Sequence, residues 1–241
     1  MAVELGKPTE HGYRLPYIRH LLCKPAIQQL KSHGQMLDYG CGNGANTKLF
    51  HSDFENIFGI DVENERVAYG IDELMKEAIT NVTLSVYNGE SAGFSNESMD
   101  MVTSFEVLEH VRSEQGTLRE IHRVLKPGGI FCLSVPNKWY LMETHGFKLP
   151  FHKIVPYNRV PFLNLMPNWF YKKWGNARIY TKNRILHLLT NSGFIIDRVA
   201  YIKPPFDIVG SKLVKDALVH AYNFMPGFMG VSIFIQCHKP I

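Results

Sequence analysis

The sequence predicts a single α/β domain built on a mostly parallel sheet of seven strands, with helices covering both faces. From Gln35 onward, short β-rich runs alternate with helical stretches, which is typical of parallel strands joined by crossover helices. The chain has 241 residues, enough for one large domain but too few for two full ones. Its composition, 45% hydrophobic and 20% charged, is close to that of globular proteins and excludes a disordered, collagen-like or coiled-coil chain.

Five β-rich runs supply the parallel part of the predicted sheet. They are QMLDY at 35–39, NIFGID at 56–61, and the segments 82–87, 99–105 and 130–136. The helices predicted between them are GNGANTKLF, the polar stretch from 63 to about 78, and TLREIHRVLKPGG, which Pro127 and two glycines end.

The C-terminal part of the sequence closes the sheet. YTKNRILHLLTNSGF predicts a helix ended by glycine, and FIIDRVAYI and VSIFIQCHKP predict two closing strands with a packed helix between them. We therefore divide the single domain into an N-terminal helical segment (1–34), a core (35–137), an insertion (138–178), and a C-terminal helix with closing strands (179–241).

The cellular compartment is predicted from the absence of membrane-span, secretory-signal and disulfide patterns in the sequence. No run approaches the roughly 18 to 20 apolar residues that a membrane span needs, and the N-terminus has no apolar segment typical of a secretory signal. The four cysteines, Cys23, Cys41, Cys132 and Cys237, form no CxxC pair and are too sparse for a secreted disulfide scaffold. We expect a cytoplasmic protein with reduced thiols.

A glycine loop and an acidic residue predict a nucleoside-binding site. Asp38 begins the loop DYGCGNG, which lies between the first strand and the next helix, where glycines allow close approach to a ligand. Asp61 ends the second strand, where a carboxylate can accept hydrogen bonds from a ribose diol. The plain alternative is that the glycines only turn the chain and Asp61 only caps a helix. NAD is the second choice of ligand, because the spacing of Gly40, Gly42 and Gly44 lacks the last glycine of the dinucleotide fingerprint.

On these motifs the chain resembles the class I S-adenosylmethionine (SAM) dependent methyltransferases. LDYGCGNG is similar to their first motif, GIDVENERV to their second-strand acid, and LREIHRVLKPGGIFCLSVPN to their fifth-strand block. EVLEHV most resembles the ubiquinone-biosynthesis type of O-methyltransferase within methyltransferase type 11. The resemblance covers about 35–137 and resumes from Ile179. It implies a Rossmann-like sheet with an antiparallel last strand, and SAM as cofactor.

The resemblance also implies cofactor contacts. Asp61 would bind the ribose hydroxyls and Val62 would lie against the adenine, while Asn88 stands where the family often has an aspartate for the adenine amino group. An Asn side-chain carbonyl can accept that hydrogen bond without a charge. The remaining cofactor contacts would come from Asp38, Gly40, Cys41, Gly42, Gly44, Gly89 and Phe105.

The end of the fourth strand carries the candidate catalytic residues. Glu106, Glu109 and His110 are three and four residues apart, a spacing that places them on one side of a helix. His110, with Glu106, is the candidate general base for an acceptor hydroxyl. The alternatives are a structural or cofactor-lining histidine, and acidic residues that merely favour a helix N-terminus.

The same residues are candidate metal ligands. Some O-methyltransferases with this Glu-x-x-Glu-His pattern, including the small-RNA 3′-end type, bind Mg²⁺ there, so the resemblance permits a Mg²⁺ site at Glu106, Glu109 and His110. A complete site would need a further histidine. His145 and His152 are available, but the position aligned with the family's additional histidine holds Trp174.

The insertion differs in composition from the rest of the chain. The net charge is +4, yet between Lys138 and Arg184 nine lysines and arginines stand against one acid, Glu143. All three tryptophans lie in this stretch. We interpret 138–178 as a substrate lid and take His145, Trp139 and Tyr13 as candidate acceptor contacts.

Apolar rings flanked by lysines also suit a membrane interface, so peripheral membrane contact through 138–178 is a second interpretation of the insertion. A self-packed subdomain or a dimer contact is equally compatible, which leaves the oligomeric state open. Nucleic acid is disfavoured as a partner, because the rest of the chain is acidic and no RNA-binding motif is present.

Together these features predict transfer of a methyl group from SAM to an oxygen of a hydrophobic small molecule or lipid-linked acceptor. N-methylation of a small metabolite is the first alternative. A SAM-binding partner protein without catalytic activity is the second alternative.

Overall fold

The computed structural model describes residues 11–89, 91–148, 154–155, 161–167, 177–206 and 209–241. Its helices are α1 (Arg14–Gln29), α2 (Asn64–Lys76), α3 (Glu114–Val124), α4 (Lys182–Asn191) and α5 (Lys212–Asn223). The strands of the main sheet are β1 (Gln35–Tyr39), β2 (Asn56–Asp61), β3 (Val82–Val86), β4 (Met99–Phe105), β5 (Leu125–Pro136), β8 (Ile195–Ile202) and β9 (Ser232–His238). A separate two-stranded pair, β6 (Phe147–Lys148) and β7 (Ile154–Val155), lies in the insertion.

The main sheet has the strand order β3-β2-β1-β4-β5-β9-β8. Strands β1 to β5 pair in parallel, and β9 runs antiparallel to both of its neighbours, β5 and β8. The predicted seven-stranded, mostly parallel sheet with an antiparallel last strand is therefore confirmed. Its central strands are long apolar runs because helices cover both of their faces.

Alternate residues of the strands feed two cores, one on each face of the sheet. Leu37 and Val102 pack with α3 and α4, while Met36 and Met101 pack with α1 and α2. This alternation follows from the two-residue period of a strand. The helix α3 buries Leu118, Ile121 and Val124 in the first core, and its capping residue Ser113 accepts a hydrogen bond from the amide of Gly116.

The prediction of a helix directly after the glycine loop is wrong. Only a short 3-10 turn, Thr47–Phe50, forms there. The chain turns back because Phe50 is fully buried and because the side-chain amide of Asn81 donates to the carbonyls of His51 and Phe54, at 2.8 and 2.9 Å. The third predicted helix also differs: α3 ends at Val124, and the following Lys-Pro-Gly-Gly belongs to β5.

The insertion leaves and rejoins the core at one point. Asn137 bridges to Tyr180, the Lys138 amide donates to the Tyr180 carbonyl at 2.9 Å, and the Tyr180 amide donates to the Pro136 carbonyl at 3.0 Å. This point lies at the carboxyl end of β5, the edge where ligands bind in open parallel sheets. The insertion therefore begins where a lid over a bound ligand would have to begin.

The helix α5 forms where a packed helix was predicted, but it is more exposed than expected. None of the residues of this fully described helix is buried. No helix within the described ranges is long and apolar enough to cross a membrane.

Candidate active site

The loops that follow β1, β2, β4 and β5 meet at the carboxyl edge of the sheet. In the loop after β1, Gly40, Gly42 and Gly44 have φ values of 83°, 55° and 72°. Residues that carry a side chain rarely adopt this left-handed backbone conformation, so the loop depends on glycine. A Cβ atom on Gly42 would meet nothing within 4 Å, whereas one on Gly40 would lie 2.2 Å from Val107 Cγ2. Gly42 therefore faces open space, and Gly40 allows the loop after β4 to approach the glycine loop closely.

Asp61 connects the glycine loop to the start of α2. Its carboxylate accepts hydrogen bonds from the amide of Gly42, at 2.8 Å, and from the amide of Glu63, at 3.0 Å. The neighbouring Val62 is 54% exposed, and a Cβ on Gly89 would lie 3.5 Å from its Cγ1 atom. The structure thus brings together a carboxylate, an open glycine loop and an exposed apolar wall, as a nucleoside site requires.

Two predicted cofactor residues have different surroundings from those expected. Asp38 is buried, and its two oxygens accept hydrogen bonds from the hydroxyls of Thr47, at 2.6 Å, and Thr103, at 2.9 Å. Burial raises the pKa of Asp38 to about 6. Asp38 therefore stabilises the glycine loop through buried hydrogen bonds. Asn88 is exposed, and its side-chain oxygen accepts a hydrogen bond from the Ser91 amide at 3.3 Å.

Cys41 is buried within the glycine loop, and burial raises the pKa of its thiol. The amides of Gly40 and Cys41 both donate to the Ile60 carbonyl, at 2.8 and 3.0 Å, which fixes the loop against β2. At the other side, His11 Nε2 lies 3.0 Å from the Asn43 carbonyl oxygen, so the N-terminal segment crosses the loop. Tyr13, half-buried, follows in this segment just before α1.

The segment after β4 is not a helix, which corrects the expected arrangement of Glu106, Glu109 and His110. Residues 108–110 form one turn between bends at 106 and at 111–112, and Glu106 has a φ of 58°. The Glu106 carboxylate accepts a hydrogen bond from Ser134 Oγ at 2.7 Å and lies 3.5 Å from the guanidinium of Arg19. The Glu106 carboxylate is therefore already engaged by Ser134 and Arg19.

Arg19 was not identified from the sequence. It comes from α1, is 2% exposed, and lies over the ring of Phe105 at 5.3 Å from the ring centroid. Nothing local in the sequence signals this placement, because the contact joins residues more than eighty positions apart. A buried arginine here supplies positive charge beside the site carboxylates.

Glu109, His110 and His145 form a buried cluster beside this loop. His145 Nε2 lies 3.4 Å from Glu109 Oε1, and His110 Nε2 lies 3.8 Å from the same oxygen. The two imidazole rings are 5.1 Å apart between centroids. Within the described part of the chain, neither carboxylate oxygen of Glu109 has a hydrogen-bond partner. A buried carboxylate in this state favours a proton or a cation.

Burial and mutual charge shift the pKa values of the cluster in different directions. Burial raises the pKa of Glu109 to about 7 and lowers that of His110 to about 3, where the charge of His145 adds to the effect. Burial alone would also lower the pKa of His145, but neighbouring Glu109 raises it above its ordinary value. The Glu109–His145 pair therefore titrates as one unit around neutral pH, whereas His110 stays neutral.

The insertion itself positions His145. Glu143, its single acid, is 2% exposed and accepts hydrogen bonds from the backbone amides of His145, at 2.6 Å, and Gly146. Thr144 Oγ1 lies 2.9 Å from His145 Nδ1. The predicted acceptor residue Trp139 is not part of this cluster and is 45% exposed. The predicted residues His152 and Trp174 lie outside the described residues.

Arg178 stabilises the turn that carries Glu109 and His110, and it was not predicted from the sequence. Its guanidinium donates to the carbonyls of Val111, at 2.6 Å, and Glu109, at 3.2 Å, and reaches two further carbonyls of the same turn. Its backbone amide also donates to the Glu109 carbonyl at 3.3 Å. Arg178 is one of nine lysines and arginines between 138 and 184, so no local pattern in the sequence distinguishes it.

Replacement of Arg178 by alanine should lower turnover by roughly 10- to 100-fold, because the turn that holds Glu109 and His110 would lose its support and a small misplacement is costly. SAM affinity should change little. The matched control is Arg184→Ala, which removes a guanidinium that binds Glu114, with both distances 2.9 Å, and does not touch this turn. Equal turnover in the two variants would contradict the positioning role.

The residues present do not fit a Mg²⁺ site of the expected composition. Glu106 is held by Ser134 and Arg19, and the ligand atoms that come within 4.8 Å of one another belong to Glu109, His110 and His145. Mg²⁺ prefers carboxylate and water oxygens in octahedral geometry, while two imidazoles are nitrogen donors that suit transition metals. No catalytic step is therefore assigned to Mg²⁺.

Known proteins resemble this chain in sequence and in fold. Residues 37–133 match the family model described as a methyltransferase domain. The chain is 30% identical over 115 residues to ubiquinone biosynthesis O-methyltransferase of Pseudomonas aeruginosa, covering 46% of this chain and 50% of that protein. It is 27% identical over 114 residues to phosphoethanolamine N-methyltransferase 2 of Caenorhabditis elegans, covering 47% of this chain and 26% of that protein.

Among solved structures, an S-adenosylmethionine-dependent methyltransferase from Mesorhizobium loti superposes with a TM-score of 0.59 at 19% identity, covering 90% of this chain and 97% of that one. This similarity shows the fold. The chain spans about half the length of the curated relatives it matches, or less. Residues 37–133 therefore match a methyltransferase domain in sequence, and the sheet order is that of a fold shared with solved S-adenosylmethionine-dependent methyltransferases.

Proposed function

We propose that this protein transfers a methyl group from SAM to an oxygen of a hydrophobic small molecule or lipid-linked acceptor. The observation that carries this proposal is the position of the buried Glu109–His145 pair. The pair lies in the loops at the edge of the sheet that carries the glycine loop and Asp61. A proton acceptor and a nucleoside site thus share one edge of the sheet.

SAM supplies an electrophilic methyl group: the acceptor oxygen forms the new O–CH₃ bond as the S–CH₃ bond breaks and its electron pair returns to sulfur. The chain's own residues have to hold the two reactants in line and remove one proton. Asp61 and Val62 suit the nucleoside half of SAM, and the open face at Gly42 suits the approach of its amino-acid half.

The acceptor proton goes to the Glu109–His145 pair in this proposal. A pair that holds one proton near neutral pH is well matched to general-base catalysis at that pH. The earlier expectation of His110 with Glu106 as the base has less support, because a histidine with a pKa of about 3 is a weak base and Glu106 is engaged by Ser134 and Arg19. His110 instead limits the space beside Glu109.

N-methylation of a small metabolite is the second candidate function. A buried carboxylate without hydrogen-bond partners, Glu109, would also suit an ammonium group of the acceptor. The relative named phosphoethanolamine N-methyltransferase supports this alternative. Cytoplasmic location and peripheral membrane contact through the insertion remain predictions from the sequence.

The proposal is tested with SAM carrying a tritiated methyl group and a host extract separated into lipid, polar-metabolite and RNA pools. We expect label in the lipid pool together with S-adenosylhomocysteine, and no effect of EDTA or added Mg²⁺. The matched control is Glu109→Gln, which keeps the shape of the side chain and removes the base.

Label confined to amines of the polar pool would replace the O-methylation proposal with the N-methylation alternative. SAM binding without product in any pool would contradict catalysis and favour a SAM-binding partner protein. Loss of activity in EDTA would contradict the assignment of the proton to the Glu109–His145 pair without a metal.

A further inference from the structure

Glu143 lies in the interior of the protein although the segment around it is basic. It is the single acid among nine lysines and arginines between 138 and 184, and it is 2% exposed. An acid in such a segment ordinarily lies at the surface, because burial of a carboxylate is unfavourable unless hydrogen-bond donors surround it. The donors that Glu143 binds therefore indicate why it is buried.

The two carboxylate oxygens of Glu143 bind the backbone around His145. Oε1 accepts a hydrogen bond from the His145 amide at 2.6 Å, and Oε2 accepts one from the Gly146 amide. An ionised carboxylate is only an acceptor, so it matches two converging N–H donors. Gly146 has a φ of 79°, so the chain turns sharply directly after His145. Glu143 therefore fixes the peptide groups on both sides of the His145 Cα atom.

The start of the same loop is held by a second part of the insertion. The Phe162 amide donates to the Leu141 carbonyl at 2.6 Å. The side-chain amide of Asn164, which is 2% exposed, donates to the carbonyls of Tyr140, at 3.2 Å, and Met142, at 2.9 Å. The loop 140–146 is thus held at its start by 161–164 and at its end by Glu143, which gives His145 a supported backbone.

The imidazole of His145 spans the distance between this loop and the turn after β4. Its Nδ1 atom lies 2.9 Å from Thr144 Oγ1, while its Nε2 atom lies 3.4 Å from Glu109 Oε1. A backbone shift of about 1 Å at His145 would change the second contact, and a displacement of that size can lower a rate by about 10²-fold. The contact with Glu109 therefore depends on the hydrogen bonds that hold the His145 backbone.

Glu143 also contributes charge beside the His145 ring. Burial alone would lower the pKa of His145, whereas the charges of Glu109, Glu106 and Glu143 raise it above its ordinary value. Removal of the Glu143 charge should therefore lower the pKa of His145. The remaining titratable and charged groups around the cluster are His110, Arg66 and Arg178.

We propose that Glu143 is a positioning residue for methyl transfer, which holds the backbone of His145 so that the imidazole lies against Glu109. This inference rests on the proposed function, in which the Glu109–His145 pair takes the acceptor proton. Glu143 acts through His145 and receives no proton from the acceptor.

The test compares Glu143→Gln and Glu143→Asp in the full chain. Glutamine keeps the length of the side chain, but it has one oxygen for two amides and no charge. We expect Glu143→Gln to lower kcat by roughly 10- to 100-fold with little change in the acceptor KM, and to move the rise of the rate to lower pH. Glu143→Asp keeps the charge but is too short to reach both amides, so kcat should fall while the pH dependence stays near that of the original chain.

Titration of His145 by nuclear magnetic resonance gives a readout that does not require turnover. With carbon-13 at the Cε1 atom of histidine, the signal of His145 is the one that is missing in His145→Gln. Its titration midpoint should lie at lower pH in Glu143→Gln than in the original chain, because the imidazolium loses a neighbouring negative charge.

The matched control is Asp100→Asn, which changes a buried carboxylate at the opposite edge of the sheet, 5% exposed, that accepts the Gln35 amide at 2.8 Å. This control should leave kcat and the His145 midpoint unchanged. An unchanged rate and midpoint in Glu143→Gln would overturn the proposal, as would an equal loss of rate in Asp100→Asn. A lowered midpoint in a chain that methylates no acceptor would support the positioning of His145 by Glu143 and would contradict the proposed function instead.

Discussion

Replacement of His145 by glutamine is expected to lower the turnover rate by about 10²- to 10⁴-fold, the range of a lost general base. The imidazole lies 3.4 Å from Glu109 and favours the ionised carboxylate, so its loss leaves the buried carboxyl group with a higher pKa, protonated near neutral pH and unable to accept a second proton. SAM affinity should stay within a few-fold, because the proposed nucleoside site at Asp61 is formed by other loops. Single-turnover rates at saturating SAM provide the measurement.

The matched variant is His110→Gln, at the other imidazole of the same cluster. Because burial holds the pKa of His110 to about 3, this histidine is neutral throughout the working range and contributes little basicity. Replacement of His110 should therefore lower the turnover rate much less than replacement of His145 does. A larger loss of turnover in His110→Gln than in His145→Gln would instead support His110 as the general base, as the sequence predicted.

The pH dependence of the rate should distinguish the same two residues. Glu109 has a pKa raised to about 7 and His145 one raised above its ordinary value, so the pair must lose its proton before it can accept another. The rate of the original chain should therefore rise as pH increases through neutrality, and this rise should disappear in Glu109→Gln. A rate independent of pH from about 5 to 8 would instead indicate a base of low pKa, as His110 is.

Replacement of Asp61 by alanine is expected to weaken SAM binding by about 10- to 150-fold, which corresponds to about 1.5 to 3 kcal/mol for lost hydrogen bonds to a charged group. The carboxylate would no longer meet the ribose hydroxyls, and the glycine loop would lose the bond from the Gly42 amide. Calorimetric titration with SAM measures the change.

The control for Asp61 is Asp72→Ala, which removes an exposed carboxylate from α2. The Asp72→Ala variant should leave SAM affinity unchanged. The SAM affinity of Asp61→Asn should lie between those of Asp72→Ala and Asp61→Ala, because asparagine keeps one acceptor oxygen. Unchanged affinity in Asp61→Ala would show that the nucleoside does not bind at the end of β2.

Much of the sheet was predictable because each strand is a local apolar run and each glycine turn is a local signal. The positions of Gly40 after the end of β1 and of Asp61 at the end of β2 follow from the two apolar runs and the glycine turn between them. These features depend on residues close together in the sequence, so periodicity and spacing were sufficient to find them.

The structure differs from prediction where distant contacts decide the conformation. Glu106 adopts a φ of 58°, which its residue type does not signal, and its carboxylate turns toward Arg19 on α1. The spacing of Glu106, Glu109 and His110 suits a helix, but the carbonyls of this turn are bound by Arg178, some seventy residues later. Amphipathic periodicity predicted α5 correctly, yet it could not show whether the apolar face is covered.

The most direct test of the account is titration of the full chain with SAM and, separately, with NAD. The open loop at Gly42, the Asp61 carboxylate and the match of 37–133 to a methyltransferase domain predict one saturable SAM site per chain, displaced by S-adenosylhomocysteine and unaffected by NAD. Saturable binding of NAD in place of SAM, or no binding of SAM at millimolar concentration, would contradict it.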